Sequence, residues 1–275
     1  MKSTGSSSAY SICSEAAGVA GNILAFALFV SPMPTFIRII RNRSTERFSG
    51  MPYVYALLNC LICLWYGMPL VSPGIILVAS VNSIGSVFQL TYIIIFITYA
   101  EKPNKVKMLG LLVGVFGTFG IILYMSMIIY DPHVRQMLVG YLSSASLVSM
   151  FASPLFIINL VIRTKSVEYM PFYLSLSTFL MSLSFFAYGI LKHDAFIYVP
   201  NGIGTVLGLA QLALYTENDS RKILPPVLTG GIFVIPPKAR GILLPMFQII
   251  LGDIWVAFFT GIVFCDFWEQ TQIRG

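Results

Sequence analysis

The chain has 275 residues, 57% of them hydrophobic and only 10% charged, with a mean hydropathy of +0.83. Soluble domains carry about 25% charged residues, so this composition describes a protein of the bilayer. A spanning helix uses ~20 apolar residues, which admits roughly eight or nine spans with short loops and leaves no room for a soluble catalytic domain. The net charge of +6 would suggest nucleic acid in a soluble protein, but in a membrane protein where the basic residues fall matters more than their sum.

In chain order, residues 1–17 are Ser-rich and lack the basic flank and short apolar stretch of a cleaved signal peptide, so the first span is expected to be its own insertion signal. Apolar runs between Pro, Gly and charged punctuation predict seven spans at about 18–40, 52–72, 74–99, 108–130, 139–162, 171–191 and 195–216. Cys60 and Cys63 fall inside the second span, with Cys13 near the start and Cys265 in the tail. No disulfide framework results, and a CxxC within a spanning helix reads as two small, packable side chains. Eleven Lys and Arg follow spans one, three, five and seven, including Arg41, Lys105, Arg163 and Lys222, against three on the other face, Lys2, Arg135 and Lys192. The imbalance predicts an extracytosolic N-terminus. Asn42-Arg43-Ser44 and Asn218-Asp219-Ser220 then face the cytosol and are expected to stay unglycosylated. Residues 223–275 form an atypical hydrophobic tail; its apolar run 242–264 carries Pro245 and Asp253 and reads equally as an eighth helix, an interfacial segment or an odd transcript-derived end.

The chain repeats itself. Ser31-Pro32 recurs as Ser153-Pro154, Met51-Pro52 as Met170-Pro171, Tyr66-Gly67 as Tyr188-Gly189, and Asn82-x-x-Gly85 as Asn201-x-x-Gly204. Spans one to three therefore repeat as spans five to seven. The single span between them restores the orientation of the second unit, so the repeat is parallel, as in transporters whose site lies between halves near the midplane. The fold class expected is an all-α polytopic membrane protein in a 3+1+3 arrangement: first three-helix repeat 18–102, linker helix 103–138, second repeat 139–222. Asn82 and Asn201 occupy matching places in the third span of each unit, and each amide offers two donors and an acceptor. Two such amides suit the clamping of one small polar ring between the halves.

The LFVSP and MFASP segments, the RNRSTERFSGMPY and RTKSVEYMPFY loops, LLNCLICLWYG and the VNSIG and PNGIG pair resemble the SWEET sugar transporters, over about residues 18–222. Within that family the chain is most similar to the monosaccharide-associated plant branch, and within it to the type placed at the vacuolar membrane. The resemblance implies that Cys63 and Phe185, each three residues before a gate tyrosine, line the sugar pocket with the two asparagines; relatives often have Trp or Ser there. It implies that Leu28 and Met150, with Ala25 and Leu147 a turn away, filter by size, and their bulk favours a hexose over a disaccharide. It further implies that Pro32, Pro52, Pro154 and Pro171 form a tetrad of cytosolic-side hinges, that Tyr66, Tyr188 and Asp194 form the extracellular gate, and that relatives assemble as homo-oligomers.

Gly110, Gly114, Gly117 and Gly120 stripe the linker helix and are expected to permit close packing. Gly202, Gly204 and Gly208 make no dinucleotide fingerprint, because no strand-turn-helix surrounds them. Seven spans and an extracytosolic N-terminus also fit a membrane receptor, but a receptor has no need of a repeat, and a retinal protein would need a Lys in span seven. An intramembrane hydrolase would need paired catalytic groups at depth, whereas His133 and His193 lie in loops. No Asp, Glu or Lys occupies the middle of any of the seven spans, where proton-coupled carriers place their relay. The expectation is a bidirectional uniporter without cofactor, metal or ion coupling, working by alternating access on a neutral sugar in the plasma or vacuolar membrane.

Overall fold

The computed structural model describes residues 3–46, 48–150, 155, 158–159 and 172–219, with side chains at 10–46, 48–150, 155, 158–159 and 172–215. Every regular element among them is a helix: α1 Ser3–Val30, α2 Met33–Asn42, α3 Met51–Tyr66, α4 Ile76–Tyr99, α5 Lys102–Ile128, α6 Pro132–Met150, α7 Phe172–Leu191 and α8 Ala195–Asp219. Counting α1 and α2 as one bent rod gives seven. Five stretches are long and apolar enough to cross a membrane, Tyr10–Asn42, Ile76–Tyr99, Lys102–Ile128, Phe172–Leu191 and Ala195–Tyr215; α3 is apolar but shorter, and serine-rich α6 is more polar.

Several span ends move. The first helix starts at Ser3 rather than 18, because nothing in the Ser- and Ala-containing leader breaks a helix and its side chains find partners described below. The fourth starts at Lys102, with Pro103 in the first turn, where its missing N–H costs no hydrogen bond. The fifth begins at Pro132, capped by Asp131, whose carboxylate accepts the His133 N–H at 2.8 Å. Between α1 and α2, Pro32 lacks the N–H that would bind the Leu28 carbonyl, and the Ser31 hydroxyl takes that carbonyl at 2.8 Å. α2 ends at Arg43, in the left-handed region at φ 50°. The following turn is held by Glu46, which accepts from Arg38 Nη2 at 2.7 Å and Asn42 Nδ2 at 2.8 Å. The Arg38 guanidinium holds the Glu46 carboxyl below its usual range.

Helix packing obeys the repeat. Within the first half α3 and α1 pack on α4; within the second α7 and α6 pack on α8. Between halves α1 packs on α7 and α3 on α6. An operation exchanging α1 with α6, α3 with α7 and α4 with α8 maps each of these contacts onto another. The glycines carry the same pattern: a Cβ on Gly67 would lie 2.5 Å from the Ala79 nitrogen, and one on Gly189 2.6 Å from the Tyr198 nitrogen. Gly18 sits against Leu77 and Gly140 against Phe196, again equivalent pairs.

The linker α5 leans on the first half through Met108, Val115 and Ile122, and Ser126 accepts the Trp65 indole N–H at 2.9 Å. The expected close packing of its glycine stripe is not found: Gly110, Gly114, Gly117 and Gly120 are exposed, with nothing within 4 Å of an added Cβ. The stripe faces away from the rest of the described chain, because the face α5 buries is the one carrying Met108, Val115, Ile122 and Ser126.

Candidate functional site

Two buried apolar clusters divide the bundle lengthwise. One joins both halves at the end carrying the 67–75 and 192–194 connections: Ala25, Tyr66, Val71, Val78, Val139, Phe185, Tyr188 and Ile197 are among its members. The other, built on Phe36, Leu57, Tyr92 and Phe96, draws among the described residues on the first half and the start of α5. The bundle is therefore sealed across its two halves at the 67–75 end.

That seal has a polar bolt. Tyr66, the last residue of α3, is 1% exposed and donates its hydroxyl to Asp194 Oδ2 at 2.7 Å, across the two halves. Asp194 immediately precedes α8 and accepts the Phe196 N–H at 3.0 Å through Oδ1, so one carboxyl caps a helix and ties the halves together. Burial pushes its pKa up, while the Tyr66 hydroxyl and the Phe196 and Ile197 N–H groups pull it back. Tyr188, at the equivalent place in the second half, is wholly buried, and its hydroxyl has no hydrogen-bond partner among the described residues.

Below this seal lie the two amides. Asn82 Nδ2 donates to the Val78 carbonyl at 2.8 Å, and Asn201 Nδ2 to the Ile197 carbonyl at 2.8 Å. Ser86 and Thr205, one turn on, donate to the Asn82 and Asn201 carbonyls, both at 2.8 Å. The two amides are thus held by identical local bonding. A donor of each is committed to its own helix, and Oδ1 is left to accept. Asn201 is buried and Asn82 half-buried. The approach to each amide differs. Pro200 frees the Phe196 carbonyl, and the Ser144 hydroxyl from α6 takes it at 3.0 Å; in the first half Asn22 of α1 donates to Ser80 Oγ at 2.9 Å, and Ser80 to the Leu77 carbonyl.

The other expected site residues are placed as follows. Phe185 is buried, its ring against Gly21 of α1. Cys63 is buried on α3, with its Sγ donating to Asn59 Oδ1 at 3.7 Å. Leu28 and Met150 are half-buried near the ends of α1 and α6. Pro32 stands at the bend between α1 and α2, and Pro52 in the first turn of α3. Pro154 and Pro171 lie outside the described residues. Among those residues no group of three His, Cys, Asp or Glu side chains is arranged to hold a metal ion.

Sequence reading missed Asn22 and Ser144. They stand at the separation of Pro32 and Pro154, so the repeat itself held the signal; both contact the third helix of their half shortly before its asparagine, at Ser80 and Phe196. It also missed Gln136, which donates to the buried Ser72 at 2.9 Å.

These features define the class: an all-helical, multi-pass membrane protein whose two like three-helix halves are joined by a linker helix. A family model described as "Sugar efflux transporter for intercellular exchange" matches residues 15–104 and 137–222, and the chain belongs to that family, the SWEET transporters. It is 67% identical over 206 residues to the bidirectional sugar transporter SWEET2a of Oryza sativa subsp. japonica, covering 75% of this chain and 85% of that one. With SWEET2 of Arabidopsis thaliana it shares 66% over 205 residues, covering 74% and 87%. It superimposes on a solved eukaryotic SWEET transporter with a TM-score of 0.75 at 57% identity, covering 77% of this chain and 99% of that one.

Proposed function

We propose that this protein is a bidirectional uniporter that carries a neutral sugar, a hexose in preference to a disaccharide, down its gradient by alternating access between its two halves. It is a transporter and not an enzyme: the relatives are named bidirectional sugar transporters. The observation that carries the reading is the pair of equivalently bonded amides, Asn82 and Asn201, on matched helices in a bundle without charge at mid-depth. In this reading their free oxygens and remaining N–H groups receive the sugar hydroxyls. Phe185 offers its face to the sugar's C–H surface beside Cys63, and Leu28 and Met150 limit size. Pro32, Pro52, Pro154 and Pro171 are the hinges at one end, and Tyr66, Tyr188 and Asp194 the gate at the other.

The division is first half 18–102, linker 103–138, second half 139–222 and tail 223–275, with the leading helices of the two halves reaching back to Ser3 and Pro132. The basic residues at the hinge end support a cytosolic assignment for it and an extracytosolic N-terminus. The membrane is the plasma or the vacuolar membrane, to be decided by fractionation of tagged protein, and the assembly is a homo-oligomer, with cross-linking in native membranes to test for a trimer.

Tracer uptake into proteoliposomes tests the function. Glucose is expected to equilibrate and not accumulate, faster than sucrose, and a pH gradient is expected to drive no accumulation. Asn82→Ala and Asn201→Ala are each expected to lower uptake by about 10-fold or more, since each leaves sugar hydroxyls without partners in a desolvated site. Undiminished uptake in both variants would remove the proposed site.

A further inference from the structure

At the sealed end, the leading helix of each half grips the loop of the other half. From the start of α6, Arg135 Nη1 donates to the Leu70 carbonyl at 3.1 Å and Gln136 Nε2 to Ser72 Oγ at 2.9 Å. Arg135 is braced from behind, its Nε and Nη2 donating to the Ile129 carbonyl at 3.2 and 2.7 Å. From the start of α1, Tyr10 donates its hydroxyl to the Leu191 carbonyl at 2.5 Å, and Lys192 Nζ donates to Glu15 Oε1 at 2.8 Å. The hydroxyl proton being committed to Leu191, the 3.2 Å contact between Tyr10 and His193 Nε2 needs that nitrogen to donate; the two rings are stacked.

The two grips correspond under the repeat. The spacing that relates Pro32 to Pro154 places Ser14, between Tyr10 and Glu15, on Gln136, and the loop after α3 is the counterpart of the loop after α7. Both grips cross the boundary between halves, which the Tyr66–Asp194 bond also crosses. They are unequal in setting. Ser72 is 2% exposed, whereas the Glu15 carboxylate is half in solvent, where an ion pair holds weakly and is screened by salt.

We propose that Arg135 and Gln136 form the principal latch of this end and Tyr10 and Glu15 a weaker one, and that together they set the fraction of molecules closed at this end between transport strokes. They act through loop position and touch no sugar. The proposal rests on the transport reading above. A carrier with two states binds sugar from one face with an apparent affinity scaled by the fraction open to that face. Weakening the latch therefore moves the two half-saturation constants in opposite directions. Without an energy source, the ratio of maximal rate to half-saturation stays equal for the two directions, so the maximal rates shift to match.

The test is sugar flux measured from each face of proteoliposomes whose orientation is read by impermeant labelling of the exposed Cys13. Gln136→Leu keeps much of the volume and loses the bond. Its half-saturation at the latch face is expected to fall, and at the opposite face to rise, by about 2- to 10-fold, as one part-buried hydrogen bond implies. Glu15→Gln should give the same pattern more weakly, fading at high salt. Loss of folded protein with both constants unchanged would make Gln136 a structural cap and overturn the proposal. In a second arm, Ser72→Cys with Gln136→Cys, on a Cys13→Ser background, is bridged by a short, reducible bifunctional thiol reagent; uptake should stop on bridging and return on reduction. Should that pair fail to fold, Tyr10→Cys with His193→Cys takes its place. Uptake that continues through a complete bridge overturns the latch while wild-type uptake leaves the transport reading standing. Absence of wild-type uptake overturns both.

Discussion

The two halves share a backbone plan but solve two local problems differently. Before Asn82 the helix is continuous; before Asn201 it carries Pro200, and a serine from α6 replaces the lost hydrogen bond. Tyr66 finds a carboxyl across the boundary; Tyr188, its equivalent, keeps its hydroxyl buried without a partner. The halves are alike wherever backbone geometry is the issue: the glycines where chains touch and the amides with their i−4 bonds. They differ where one bond suffices for the whole molecule, as at the bolt.

The largest expected effect comes from breaking the shared geometry. In Gly67→Ala and Gly189→Ala the new methyl meets backbone nitrogen at 2.5 and 2.6 Å, and backbone cannot swing aside as a side chain can. Each is expected to cost about 3 kcal/mol or more, read as a Tm drop of the detergent-purified protein, similar in the two variants. A drop in one alone would end the equivalence of the two turns.

The tyrosines offer a finer break. Tyr66→Phe strands the buried Asp194 carboxyl and is expected to cost about 1–3 kcal/mol, whereas Tyr188→Phe removes an oxygen that already lacks a partner and should leave Tm unchanged or raise it. Asp194 adds a pH signature. Because burial raises its pKa in the folded protein, its contribution is full below the ordinary carboxylate pKa and is lost as pH rises through the raised value. Without the Tyr66 donor the ionised form is worse off still. The Tm gap between wild type and Tyr66→Phe should therefore be wider at pH 7 than at pH 4, and Tyr188→Phe should show no such widening.

Much of this was legible in the sequence, because the repeat is a stronger signal than hydropathy. Matched prolines, tyrosines and asparagines gave the halves and the likeness of α4 to α8, whereas Asp194 was placed beside Tyr66 only by the family resemblance, since Lys192-His193-Asp194 by itself reads as a solvated loop. Hydropathy alone misjudged what polarity allows: the start of α1 was left outside the first span, since Tyr10 and Glu15 find their partners some 180 residues away, and no local pattern encodes that. Arg135 read only as an orientation charge for the same reason. The bonding of the amides was equally hidden, because an Asn that binds its own helix and one that projects both donors freely are spelled alike.

The glycines of α5 provide the smallest and most diagnostic change. In α3 and α7 glycine is where two chains meet; in α5 four glycines in a row of turns meet nothing within the described chain. Helix glycine costs about 0.5–1 kcal/mol relative to alanine where no contact needs it, so Gly114→Ala should raise Tm slightly and leave uptake unchanged. If the protein works as a homo-oligomer packed through this face, the sign reverses: an added methyl would hold the helices of two copies apart, lowering Tm and the yield of cross-linked oligomer together. A small rise in Tm with intact oligomers would instead place the contacts between copies elsewhere and leave the stripe facing lipid, so one substitution separates a packing glycine from an idle one.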